Sequence, residues 1–212
     1  MGDVTSRKSA PRSAIRPDRT RLFAIASEQG GYFTAEQGRA CGFGWALLSH
    51  HVKSGRFIRV RRGLYRSREF PSSPRQDVFV AWLAVGKDLA VVSHESALDL
   101  LDLSDVIPGA VHLTVPRSRR SHPTLSGVSI HTTTRPLRPS DRIVREGVRL
   151  TSAPRSILDA AEAGMAPEQI EMAVVQAISR GLAMPEQLRA GAREQGRCVT
   201  ELIAGALRKV EP

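Results

Sequence analysis

The stretch Trp45-Ala46-Leu47-Leu48-Ser49-His50-His51-Val52-Lys53-Ser54-Gly55-Arg56-Phe57-Ile58-Arg59-Val60-Arg61-Arg62-Gly63-Leu64-Tyr65-Arg66 changes its period half-way along. At 100° per residue, Trp45, Leu47, Leu48, His51 and Val52 fall on one broad side of a helix, and Ala46, Ser49, His50 and Lys53 fall on the other. Gly55 stops that helix. Beyond it, Ile58 and Val60 alternate with Arg59 and Arg61, the period of a half-buried strand with its arginines on the wet face. Gly63 supplies the positive φ that a tight loop requires. The spacing therefore predicts a helix followed at once by a basic hairpin.

The residues before this stretch supply two more helices. Asp18 follows Pro17 and is placed to cap a helix carrying Leu22, Phe23, Ile25 and Ala26, which Gly30-Gly31 ends. Thr34 and Gln37 have the spacing of a capping box, and the short helix they open ends near Gly42. Three residues then separate it from the next helix, the turn of a helix-turn-helix. The predicted unit is a winged helix-turn-helix over residues 18–70, a form suited to DNA. Ser49, His50 and Lys53 are the candidates for base-edge and phosphate contacts, because small or donor side chains suit a major groove about 12 Å wide. Arg56, Arg59, Arg61 and Arg62 are the candidates for the backbone contacts of the wing, with Arg61 and Arg62 at its tip. Edge strands also carry charge to avoid aggregation, but five arginines in eleven residues with no acid among them exceed that need.

Charge divides the chain in the same place. The first 75 residues hold 15 Lys or Arg against 5 Asp or Glu, and the remaining 137 hold 16 of each. A general arginine bias would not leave one part balanced and the other strongly basic, so the segregation points to a polyanion partner for the N-terminal part. Residues 1–17 are rich in Ser, Arg and Pro and are predicted to form a flexible basic arm, which either follows a DNA groove or has no specific role. Phe70-Pro71-Ser72-Ser73-Pro74 reads as a linker to a second domain, residues 75–212. There, strand candidates at Leu89–Val92, Ala110–Val115, Gly127–Thr132 and Val148–Thr151 precede helical patterns near 154–163, 167–179, 185–190 and 200–209. The expected fold class is α/β (α+β), a winged helix plus a larger mixed domain.

Several chemistries find little support. The apolar run Val78–Val85 is too short to cross a bilayer, and the N-terminus lacks an apolar signal core, so no membrane partner and a cytoplasmic location are expected. Cys41 and Cys198 are far apart and read as buried thiols. His50, His51, His94, His112, His122 and His131 stand at no metal-ligand spacing, so neither a metal nor another cofactor is expected. Ser93-His94-Glu95-Ser96 holds the residue types of a hydrolase site, but sequence neighbours rarely face one another, and capping of a helix by Ser93 is the preferred reading. No Walker or kinase signature occurs. A second basic cluster, Arg117, Arg119 and Arg120, is open between a second DNA contact, an acidic partner and a solvated loop.

Four stretches of the sequence resemble the AbiEi-type antitoxins of type IV toxin-antitoxin systems. Gly31–Gln37 through Arg59–Tyr65 is similar to that family's winged-helix domain; Ser93–Leu98, His112–Pro116 and Thr151–Asp159 are similar to its C-terminal domain. The resemblance implies an antitoxin that binds double-stranded operator DNA, represses its own operon and counteracts a nucleotidyltransferase-like toxin. Two alternatives stand beside it: an antitoxin that modifies the toxin covalently, for example by phosphorylation, and a plain winged-helix regulator with a sensing domain.

Overall fold

The computed structural model describes residues 16–119, 125–133 and 136–210. The chain divides into two compact units, Met1–Pro71 and Ser72–Pro212, and its fold class is mixed α/β with two sheets.

In the first unit α1 (Arg19–Ser27), β1 (Tyr32–Thr34), α2 (Ala35–Ala40) and α3 (Trp45–Lys53) precede the hairpin β2 (Phe57–Arg61) and β3 (Leu64–Ser67). Local chemistry sets the helix starts. The Asp18 carboxylate accepts from the Arg21 N–H, and Thr34 and Gln37 bond each other's backbone N–H reciprocally. The Gln37 amide also exchanges two hydrogen bonds with Gln29, of 2.9 and 3.2 Å, which satisfies a glutamine that is only 3% exposed and ties the end of α1 to α2. The core is built from Leu22, Ala26, Phe33, Phe43, Leu48 and Tyr65, with the Phe33 ring edge-on to Phe57 and stacked on Tyr65.

Strand β1 was not predicted, because three residues are too few to show a period. It pairs antiparallel with β3, which pairs antiparallel with β2, giving the order β1-β3-β2. The expected alternation along β2 also breaks. Arg59 stands opposite Tyr65 and Arg61 opposite Leu64, so Val60 is an extra residue, a bulge, and it is exposed at 38% instead of packing inward.

The second unit runs α4 (Gln76–Val85), β4 (Val91–Val92), α5 (His94–Leu100), β5 (Val111–Pro116), β6 (Val128–Thr133), β7 (Arg142–Arg145), β8 (Val148–Thr151), α6 (Ala153–Glu162), α7 (Pro167–Ser179), α8 (Pro185–Gln195) and α9 (Arg197–Leu207). Its sheet has the order β6-β5-β4-β8-β7, parallel between β5 and β6 and between β4 and β8, and antiparallel elsewhere. Helix α5 lies against β5, β8 and α6, and α6 packs on α7, α8 and α9. Strand β7 escaped prediction because it is an edge strand: Ile143 and Val144 are exposed, so no apolar face alternates. Helix α8 runs past the predicted end near residue 190, because Gly191 lets it close tightly on Leu158 of α6. Cys41 is buried as expected, but Cys198 is exposed, because α9 turns Val199 and Ile203 inward and leaves the preceding position on its outer side. Among the described residues no helix is long and apolar enough to cross a membrane.

Gly31 joins α1 to β1 at φ +89°, and a Cβ there would meet the Cβ and ring of Phe70. Gly31→Ala should therefore cost at least about 1–2 kcal/mol from the backbone conformation alone, with the Phe70 clash in addition. Urea denaturation of the variant against the native chain reads this loss directly.

Candidate functional site

Helix α3 separates its side chains as the 3.6-residue period requires. Leu48 and His51 are buried, Leu47 and Val52 half-buried, and Ala46, Ser49, His50 and Lys53 lie on the outer side. Trp45 departs from the expectation. It is 57% exposed, because it sits in the first turn at the edge of the apolar sector, and its ring is covered by the Arg39 guanidinium at 4.9 Å rather than by core. The outward face thus runs continuously through Trp45, Ala46, Ser49, His50 and Lys53.

The hairpin extends this basic surface. Arg56, Arg59 and Arg62 are exposed and Arg61 is half-buried next to the turn, where Gly63 takes φ +78°. Among the described residues none of Lys53, Arg56, Arg59, Arg61 and Arg62 makes an ion pair with a carboxylate. Arg66, the fifth arginine of the stretch, is different. It turns back to donate to the Phe70 carbonyl at 2.7 Å and lies over the Tyr32 ring, so it holds the fold together. In the second unit Arg117 is exposed at the start of a 3-10 turn after β5. Arg120 and the side chain of Arg119 lie outside the described residues.

A second constellation was not visible in the sequence. His112 and Thr114 share one face of β5, and Ser129 and His131 share one face of β6. The parallel register sets Thr114 beside His131 and His112 beside Ser129, which puts all four on the same side of the sheet. The start of α5 brings His94 over them, with His94 at φ +53°, an uncommon conformation for a non-glycine residue. The His94 and His131 rings stack at 3.6 Å between centroids, and His131 Nε2 lies 3.1 Å from His112 Nδ1. Ser93 stands at the N-cap of α5 but makes no capping bond. Its hydroxyl instead meets His94 Nδ1 at 2.9 Å and accepts from the Thr114 hydroxyl at 2.8 Å. The capping expectation for Ser93 is corrected on this point: the left-handed backbone of His94 swings its ring back onto its own neighbour.

Burial holds these imidazoles neutral. It pushes His94 down to about 3 and His131 down to about 4, and the neighbouring histidines add to both shifts. Burial also lowers His112, against the opposing pull of Glu95. A cavity of about 300 Å³ adjoins the cluster, lined by His94, Thr114, His131, Arg155, Asp159 and Glu162 among others. Arg155 donates to Asp159 Oδ1 at 2.8 Å and lies 3.8 Å from Asp141 Oδ2. Burial raises Asp159 to about 6 despite the lowering effect of Arg155, and its Oδ2 has no hydrogen-bond partner. Three separate segments, 93–98, 112–116 and 151–159, therefore meet at one cavity.

Residues 21–68 match a family model described as "Transcriptional regulator, AbiEi antitoxin". That match spans most of the N-terminal unit. No curated protein matches the chain. A crystal structure of the RV2827C protein from Mycobacterium tuberculosis is similar, with a TM-score of 0.59 at 14% identity over 90% of this chain and 76% of that one, a likeness of fold.

The residues matched to the AbiEi model contain α3 and the whole hairpin, and with them His51. That side chain is packed against the rings of Phe43 and Phe57, with Nδ1 buried and unpartnered. Burial lowers its pKa, and Arg56, His50 and Arg19 lower it further. The unfolded chain takes up a proton near pH 6.5 that the folded unit resists, so the contribution of His51 to stability is complete above that pH and falls as pH drops below it. His51→Phe removes the titrating group while keeping an aromatic ring. Melting followed through backbone NMR signals of residues 18–71 should lose part of its acid sensitivity in this variant; an unchanged pH dependence would clear His51 of the role.

Proposed function

We propose that this chain is an antitoxin and transcriptional autoregulator that binds double-stranded operator DNA with its AbiEi-type unit. In this reading α3 enters the major groove, Ser49 and His50 meet base edges, and Lys53 reaches phosphate or a base edge. Arg56, Arg59, Arg61 and Arg62 of the hairpin meet the phosphate backbone. The observation that carries it is the row of five cations, Lys53, Arg56, Arg59, Arg61 and Arg62, with no carboxylate partner among the described residues, on and directly after a helix with an outer face of small and donor side chains. Guanidinium groups left uncompensated and wet retain their full attraction for phosphate, and neutralising each phosphate releases counterions. The bulge at Val60 fits the same use, since bulges re-aim side chains and increase twist. The AbiEi match of residues 21–68 supports the antitoxin and regulator role; the partner in this reading is a nucleotidyltransferase-like toxin, neutralised by contact or by covalent modification.

Fluorescence anisotropy of the full chain on the DNA upstream of its own reading frame, against a scrambled duplex, tests the reading. Charge reversal at Arg61 and Arg62 should weaken binding to both duplexes alike and flatten the salt dependence by about 0.9 for each phosphate no longer neutralised. Ser49→Ala and His50→Ala should instead reduce the preference for the cognate duplex, by about 1–3 kcal/mol for each base edge no longer read. Equal binding to both duplexes by the native chain, or affinity that does not fall with salt, would remove the operator-binding claim.

A further inference from the structure

The histidine cluster of the second unit has a geometry that DNA binding does not use. We propose that His94, His112 and His131 form a site for one zinc-class divalent transition-metal ion, with an open coordination position facing the cavity lined by Arg155 and Asp159. One ligand nitrogen of each histidine lies within 4.8 Å of the other two. The His131 Nε2 to His112 Nδ1 separation of 3.1 Å is close to the roughly 3.3 Å between neighbouring nitrogens of a tetrahedral site with bonds of about 2.0–2.1 Å. Binding requires the His94 ring, which now stacks on His131, to rotate until its Nε2 faces the same point.

The surroundings fit ligands rather than an arbitrary cluster. A metal-bound imidazole needs its second nitrogen held by an acceptor. Ser93, fully buried, offers an oxygen to His94 Nδ1 and already accepts from Thr114, which leaves His94 Nε2 for the ion. Glu95 Oε2 lies 4.0 Å from His112 Nε2, outside hydrogen-bond range, and a side-chain shift of about 1 Å would let it hold that nitrogen and leave His112 Nδ1 for the ion. When metal replaces the N–H···N contact between His112 and His131, the shared proton moves to the outer nitrogen of the ring that carried it. Three imidazoles and no carboxylate select zinc, cobalt, nickel or copper over magnesium or calcium. Three protein ligands leave a fourth position, and beside it the cavity holds Asp159, whose Oδ2 is unpartnered in a residue 4% exposed and is therefore available to a metal-bound water. The left-handed backbone at His94 is the kind of local strain that persists where a side chain must be aimed.

The test is titration of chelator-stripped full-length protein with Co²⁺, whose visible absorption reports coordination geometry, followed by displacement with Zn²⁺. The expected result is one ion per chain with tetrahedral-type absorption, unchanged in a Cys41→Ser, Cys198→Ser, His50→Ala variant and abolished in His112→Gln and His131→Gln. Ser93→Ala and Glu95→Gln should weaken binding by about 10–100-fold, the effect of removing a group that holds a ligand's outer nitrogen. Imidazole ¹⁵N spectra of the unmodified chain provide a reading that needs no folded variant: zinc should shift one nitrogen each of His94, His112 and His131. Absence of saturable binding, binding that survives both glutamine variants, or zinc-induced shifts confined to other histidines would overturn the assignment.

Discussion

Strand β4 is two residues long, yet the second unit depends on it. Val91 and Val92 pair with β5 on one side, and Val92 with Leu150 of β8 on the other, so this short segment holds the middle of a five-stranded sheet. Both valines are buried, so their ladder bonds form away from water, where an unmade bond is expensive. The chain leaves β4 directly into Ser93 and α5, leaves β8 directly into Ser152 and α6, and carries His112 and Thr114 on the strand between β4 and β6. Strand ends that converge in this way bring residues 93–98, 112–116 and 151–159 to one place, although as many as 66 positions separate them in sequence.

That convergence sets the electrostatics of the cavity. His94, His131 and Asp159 each lose solvation, and each shifts toward its neutral form, the histidines downward and the carboxyl upward. Arg155 remains paired to Asp159 and near Asp141, which keeps a single cation from standing alone. The site therefore sets neutral imidazoles beside a buried Asp159 oxygen that has no hydrogen-bond partner.

The first unit uses charge in the opposite way. Its cations stand outside the core on α3 and on a hairpin whose Phe57 packs against Phe33 and Phe43. Exposed guanidinium groups lose little solvation, so the fold carries them at small cost, and the lack of carboxylate partners leaves them available. Arg66 and Arg39 show the contrast, since each is engaged, by a carbonyl and an aromatic ring in one case and by the Trp45 ring in the other.

Local rules determined what sequence alone could determine. The Asp18 cap, the Thr34–Gln37 box, the sides of α3 except Trp45, the turn at Gly63 and the class of the second unit were legible because capping, period and turn chemistry act over three or four residues. Strand β1 was too short to show a period, β7 lacked an inward face, and the bulge at Val60 appears only when β2 is set against β3. The fate of Trp45 was decided by what lies above the first turn of α3, which no periodicity reports. The histidine cluster is the clearest case. Alternation alone put His112 with Thr114 and Ser129 with His131, but only the parallel register of β5 and β6 and the backbone turn at His94 decided that the three rings meet, because register and strand neighbours are properties of long-range pairing and not of any window of sequence.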